Sequence, residues 1–141
     1  MSRMRTMPSS RAVAPSAGGF RLLRGSLVAG ALYDFCFAAI MIGAPALATE
    51  PLRLPLPGET FYLRVLAVLL GIVGSVYLIA ARDPHRNRAL VAIAIAGRFG
   101  GFLAFASAAI GRTDLAGLWI VGGGDLAFSL LHLTASRGLW R

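Results

Sequence analysis

ALVAIAIAGRFGGFLAFASAAI, residues 89–110, is an almost unbroken apolar run with one charge, Arg98, near its middle. Its length is close to the roughly 20 residues that a helix needs to cross the hydrocarbon of a bilayer. An ionised side chain at that depth costs at least about 2.5–3.5 kcal/mol on insertion scales. Such a residue therefore faces other helices and finds a partner. The next run, residues 115–136, carries Asp125 in the equivalent position. The two charges mark the inside of a helix bundle.

Two further runs precede these, at residues 27–48 and 61–81. None of the four shows the alternation of a barrel strand. Because only helices and closed barrels satisfy their backbone in lipid, all four are expected to be helical. The expected fold is all-α, a polytopic four-helix bundle over residues 27–137. Residues 1–26 read as a disordered basic arm with an interfacial stretch near residues 20–23, and residues 138–141 as a short basic tail. A cleavable signal peptide is disfavoured, since the first run is too long and contains Asp34.

Composition agrees. The chain is 57% hydrophobic and only 14% charged, too little to solvate a water-soluble shell. The net charge is +8, but most arginines flank the hydrophobic runs, which argues for membrane topology and against nucleic acid. Every basic residue is Arg, Gln is absent and Asn87 is the one Asn, a bias of the kind a GC-rich bacterial genome leaves. The lone Cys36 excludes an intrachain disulfide or a CxxC redox pair.

Charge also sets the expected orientation. The arm, the 82–88 loop and the tail are net basic, whereas the 49–60 loop is net acidic and the 111–114 loop neutral. By the positive-inside rule both termini are cytoplasmic, in a bacterial inner membrane. Pro51, Pro55, Pro57 and Gly58 make the 49–60 loop extended, and Asp83-Pro84 closes the second helix. Pro45 is expected to kink the outer end of the first helix, and Thr113 or Asp114 to cap the fourth.

Helical rise puts Arg98 and Asp125 within about 2 Å of the midplane, with Asp34 roughly 5 Å and His132 roughly 10 Å to the cytoplasmic side. Arg64 lies roughly 11 Å to the outside, where it snorkels or seals the bundle. Asp125, Ser129, His132 and Ser136 share one face of the fourth helix, and Val91, Ala94, Arg98, Gly101 and Phe105 one face of the third. Arg64, Gly71 and Ser75 align on the second; Ala31, Asp34, Ala38 and Met41 align on the first. Arg98 is thus positioned to bridge to Asp125, to Asp34, or to both. Either the pair pins helix register, or it forms a proton or ligand site. Asp34 reads as a second acceptor for Arg98 or as a proton-binding carboxylate. His132 is expected to be a hydrogen-bonded interior residue, since one intramembrane His cannot supply bis-His haem ligation. Gly122-Gly123-Gly124 either permits close packing or breaks the helix at a site; it lacks the lysine and spacing of a phosphate loop.

FYLRVLAVLLGIVGSVYLIAARDPHRNRALVAIAIAGR, from Phe61 to Arg98, resembles uncharacterised bacterial four-helix membrane proteins. Arg64 opening the second helix, Asp83-Pro84 in a basic loop, Arg98 in the third helix and Asp125 in the fourth match that pattern. The chain is also loosely similar to the DoxX-like group of small four-helix membrane proteins. The resemblance implies a fold and no particular activity.

Three functions fit the residues. The first is a non-catalytic accessory or structural component of a membrane complex, because no nucleophile–base set or metal-ligand cluster is visible. Its partners would be the lipid bilayer and other membrane subunits or further copies of itself, with no cofactor. The second is a proton-coupled small-molecule transporter using Asp34 and Asp125. The third is a quinone- or haem-associated subunit, for which His132 is the sole hint.

Overall fold

In a computed structural model, residues 17–54 and 58–140 are described. Their long elements are α1 (Ala17–Gly43), α3 (Phe61–Arg82), α4 (Arg88–Ala109) and α5 (Leu118–Ala135), with a short α2 (Pro45–Thr49) after α1. Among the described residues there is no strand. All four long helices are apolar and long enough to cross a membrane, and they make this a polytopic membrane protein.

The distribution of side chains supports the same conclusion. Leu32, Val68, Ile72, Ile93, Ile120 and Leu130 are exposed on the outer faces, whereas Asp34, Arg98, Asp125, Ser129 and His132 are buried. That pattern is inside-out for water and appropriate for lipid. Apolar side chains gain little by leaving acyl chains, so close packing and polar contacts must hold the helices together. Small residues supply the close approaches. A Cβ at Gly74 of α3 would lie 3.2 Å from the Ala31 carbonyl oxygen of α1. One at Gly122 of α5 would lie 3.2 Å from the Phe105 Cβ of α4. The triple glycine sits inside an unbroken α5, and of its three residues Gly122 alone makes a close approach to another helix.

The bundle consists of two tight pairs. α1 packs along α3 and α4 along α5, while α3 and α4 meet only sparsely. At the end carrying the 82–88 loop the pairs join through a dry cluster that includes Leu23, Leu27, Tyr77, Val91 and Leu139. This end corrects two expectations. Helix α1 starts at Ala17, not at residue 27, because residues 17–26 have tertiary partners. Leu23 and Leu27 are fully buried, Arg24 Nε donates to the Ala81 carbonyl at 2.9 Å, and Phe20 stacks on His85 at 4.2 Å. The first 16 residues of the expected arm lie outside the described residues. The tail is not free either. Residues Arg137–Leu139 form a 3-10 turn, Leu139 enters the cluster, and Trp140 Nε1 donates to Ser136 Oγ at 3.0 Å.

Local chemistry explains the remaining ends. Asp83 closes α3, and the Asn87 side chain donates to the Ile79 carbonyl at the helix end and to the Asp83 carbonyl, which also accepts the Asn87 backbone N–H. Pro45 does not kink α1. That helix stops at Gly43, and Pro45 occupies the first turn of α2, where a missing N–H costs nothing. Thr113 and Asp114 do not cap α5, whose N-cap is Gly117. Asp114 instead accepts two hydrogen bonds from Arg112 at 2.7 and 2.9 Å, which hold its carboxyl below the usual range. This exposed pair adds little to stability.

At the opposite end, α2 and the 3-10 turn Glu50–Leu52 fold back over the bundle. They pack closely on Gly117, where an added Cβ would overlap the Leu52 carbonyl oxygen and lie 2.8 Å from its carbon. Backbone cannot yield as a side-chain tip can, so Gly117→Ala should push this segment off. In a Cys36→Ala background, Thr49→Cys on detergent-solubilised protein should then react about tenfold faster with a water-soluble maleimide, the change expected for about 1.4 kcal/mol of easier opening. An unchanged rate would mean the segment is held by something other than this contact.

Candidate functional site at the centre of the bundle

Arg98 reaches both carboxylates. Its Nη1 donates to Asp125 Oδ1 at 2.6 Å and its Nη2 to Asp34 Oδ1 at 2.7 Å. Nη2 also lies 3.2 Å from the Gly30 carbonyl oxygen. One guanidinium on α4 is therefore bonded to α1 and to α5. Arg suits this position because its planar fork can meet two acceptors at once. The relative exposures are 0% for Asp34, 5% for Arg98 and 8% for Asp125, so the whole centre is withdrawn from the surface.

Three rings enclose the charge. The guanidinium carbon is 5.2 Å from the ring centroids of Tyr33, Tyr77 and Phe128. Each ring presents electron density to a cation in a medium that screens poorly. Tyr77 also donates from its hydroxyl to the Ala94 carbonyl at 3.4 Å, joining α3 to α4. Gly101 makes room for Asp125, since a Cβ there would run into Asp125 Oδ2.

Not every polar atom is matched. Asp34 Oδ2, Arg98 Nε and both ring nitrogens of His132 are buried with no hydrogen-bond partner. The centre also holds two carboxylates for one guanidinium. With all three ionised it carries an excess negative charge, which is costly at low dielectric unless something balances it.

The centre also has access to open space. Arg98 and Asp125 line a cavity of about 300 Å³ that extends toward the α2 end of the bundle. Its walls include Phe37, Leu66, Phe105 and Leu118, and Ala48, Thr49, Leu52 and Leu54 line its far end. A second cavity of about 300 Å³ lies between α3 and α4 and is lined by Asp34, Arg98 and Asp125 together with Val73, Ile93 and Gly97. Arg98, Asp125, Leu70 and Phe105 belong to both. One cavity thus reaches from the centre toward α2, and the other runs along α3 and α4 past Val76, Tyr77 and Ile93.

Of the five residues singled out from sequence, the fold brings three together: Arg98, Asp125 and Asp34. His132 is fully buried one stage further along α5, edge-on to Tyr77 with centroids 5.8 Å apart. Its ring nitrogens have no partner within hydrogen-bond distance, although the Ser26 backbone lies beside it along with the rings of Tyr77 and Phe128. Arg64 is exposed and forms no ion pair among the described residues. The face of α3 expected inside, Arg64, Gly71 and Ser75, is turned aside in favour of Ala67, Gly74, Tyr77 and Ala81. Ser75 returns its hydroxyl to the Gly71 carbonyl of its own helix at 2.8 Å, so it needs no neighbour. Tyr33, Tyr77 and Phe128 were not singled out as partners of Arg98. Their signal was present, since Tyr33 adjoins Asp34 and Phe128 follows Asp125 by three residues, nearly one helical turn.

Among the described residues no group of His, Cys, Asp and Glu is placed to hold a metal ion. No family model, curated protein or solved structure matches the chain.

Proposed function

We propose that this protein is a small carrier that moves solutes across a membrane in exchange for protons, with Asp34, Arg98 and Asp125 as its binding and coupling centre. The observation that carries this reading is the meeting of two carboxylates and one guanidinium at the edge of a cavity. A centre that served packing alone would have no need of a cavity beside it. Two carboxylates sharing one Arg hold a charge that a proton or a solute can balance, which is the requirement for exchange. The thin contact between the α1–α3 and α4–α5 pairs leaves a plane along which the halves can rock. Orientation with both termini in the cytoplasm, residence in a bacterial inner membrane and kinship with DoxX-like proteins belong to the same proposal.

The test is uptake into proteoliposomes under an imposed pH gradient, across a panel of neutral, anionic and cationic amphiphiles. At least one class should accumulate, and a protonophore should abolish the effect. Asp34→Asn and Asp125→Asn should each slow gradient-driven uptake by at least about tenfold, as loss of an intramembrane proton site requires. An unchanged pH dependence in both variants would sink the idea.

One observation favours a second reading, an accessory component of a larger membrane complex. Arg98 ties together two pairs that otherwise touch little, as a purely structural clasp would. Stable co-purification with other membrane subunits, together with no uptake of any solute, supports that reading over the carrier. A haem or quinone role is disfavoured, because His132 lines neither cavity.

A further inference from the structure

We infer that the central site accepts singly charged lipophilic cations, and that they reach it sideways from the bilayer through the crevice between α3 and α4. This rests on the carrier reading above and names its substrate class and route.

Charge gives the class. Asp34 Oδ1 is bonded to Arg98, but Oδ2 is buried, lacks a donor and belongs to a residue lining the crevice. The one guanidinium already serves both carboxylates, so the excess charge at the centre is negative. An anionic solute would add to it, whereas a single positive charge cancels it. A proton fills that role when the site is empty of solute.

The walls give the lipophilic character. Away from the centre, both lobes are lined by aliphatic and aromatic side chains, among them Leu70, shared by the two. Phe105, also shared, and Phe37, in the outer lobe, supply aromatic rings of the kind that attract a cation without hydrogen-bonding to it. A strongly hydrated ion would lose its water there without replacement.

The helix packing gives the route. Val73 on α3 and Ile93 and Gly97 on α4 line the crevice and are also exposed on the outside of their helices. The crevice therefore opens on the surface that faces acyl chains. The outer lobe instead runs toward the segment from Ala48 to Leu54. A lipophilic cation already concentrated in the bilayer meets the crevice without first returning to water.

The experiment compares tetraphenylphosphonium with tetraphenylborate, ions of matched size and shape and opposite charge. Binding to the wild-type protein in lipid nanodiscs is measured against empty nanodiscs. The phosphonium should bind saturably and at least about tenfold more tightly than the borate, and Asp34→Asn should weaken it by at least about tenfold. Equal binding of the two ions, or no saturable phosphonium binding, overturns the cation assignment. For the route, Gly97→Phe fills the mouth of the crevice from a position with open space around it. It should slow phosphonium binding in stopped flow by about tenfold, a barrier increase of about 1.4 kcal/mol. Ile93→Trp repeats the obstruction if the first variant is not monodisperse. An undiminished rate in the obstructed protein overturns lateral entry. Either failure is separable from failure of the carrier reading, which the solute panel decides for neutral and anionic classes as well.

Discussion

Arg98→Ala should be the most damaging single change in this protein. It leaves two buried carboxylates facing each other across the space of the lost guanidinium, with no fixed positive charge between them. Breaking a buried ion pair from one side typically costs about 3–5 kcal/mol, and here two pairs break together. The thermal midpoint in mild detergent should fall by at least about 10 °C, with loss of a monodisperse peak. Arg98→Lys should recover only part of the loss. An ammonium keeps the charge but lacks the planar fork that meets Asp34 and Asp125 at 2.7 and 2.6 Å. The triple variant Arg98→Met, Asp34→Asn, Asp125→Asn should recover most of the stability, since it removes the uncompensated charges with the Arg. It should also lose all pH-driven transport, which separates the clasp from the carrier. If Arg98→Ala were as stable as the wild type, the centre could not be what holds the two pairs together.

The second large effect comes from a residue with no side chain. Helix propensity alone says that Gly→Ala inside a helix stabilises by about 0.8–1.0 kcal/mol. Gly97 and Gly101 sit one turn apart in α4 and differ in their surroundings. A Cβ at Gly97 meets nothing within 4 Å, whereas one at Gly101 meets Asp125 Oδ2. Asp125 cannot swing away without giving up its bond to Arg98. Gly97→Ala should therefore be neutral or stabilising, and Gly101→Ala destabilising by about 1–3 kcal/mol, the usual cost of overpacking. In an Asp125→Ala background most of the Gly101→Ala penalty should vanish, a coupling that a double-mutant cycle measures directly. Equal effects at the two glycines would show that Asp125 is not pinned.

These two residues also show what was legible in the sequence. Arg98 and Asp125 stand out because charge is rare inside apolar runs, and helical rise and phase then put them at one depth on facing sides. The same reasoning made Asp34 a candidate second acceptor. Depth and phase reach no further than single helices. They do not reveal that α3 turns Tyr77 inward and Arg64 outward, because that depends on which neighbour each face meets. They do not reveal the early start of α1, which follows from contacts of Leu23, Arg24 and Leu27 with distant parts of the chain. The hydrophobic runs end where loops look polar, yet Ala48, Thr49 and Leu52 line a cavity. Nor does any local pattern mark a cavity, which is a property of how four helices fail to fill the space between them.

The pairing of α1 with α3 and of α4 with α5 has a consequence for how the chain is made. Each pair is a hairpin of sequential spans, so the first can settle in the bilayer while the second is still being synthesised. Asp34 belongs to the first hairpin and Arg98 to the second, 64 residues later. During that interval Asp34 has no counter-ion, and its least costly state in lipid is the neutral acid. The arrival of α4 ends that state, so the residue that clasps the finished bundle also commits its two halves to each other at birth.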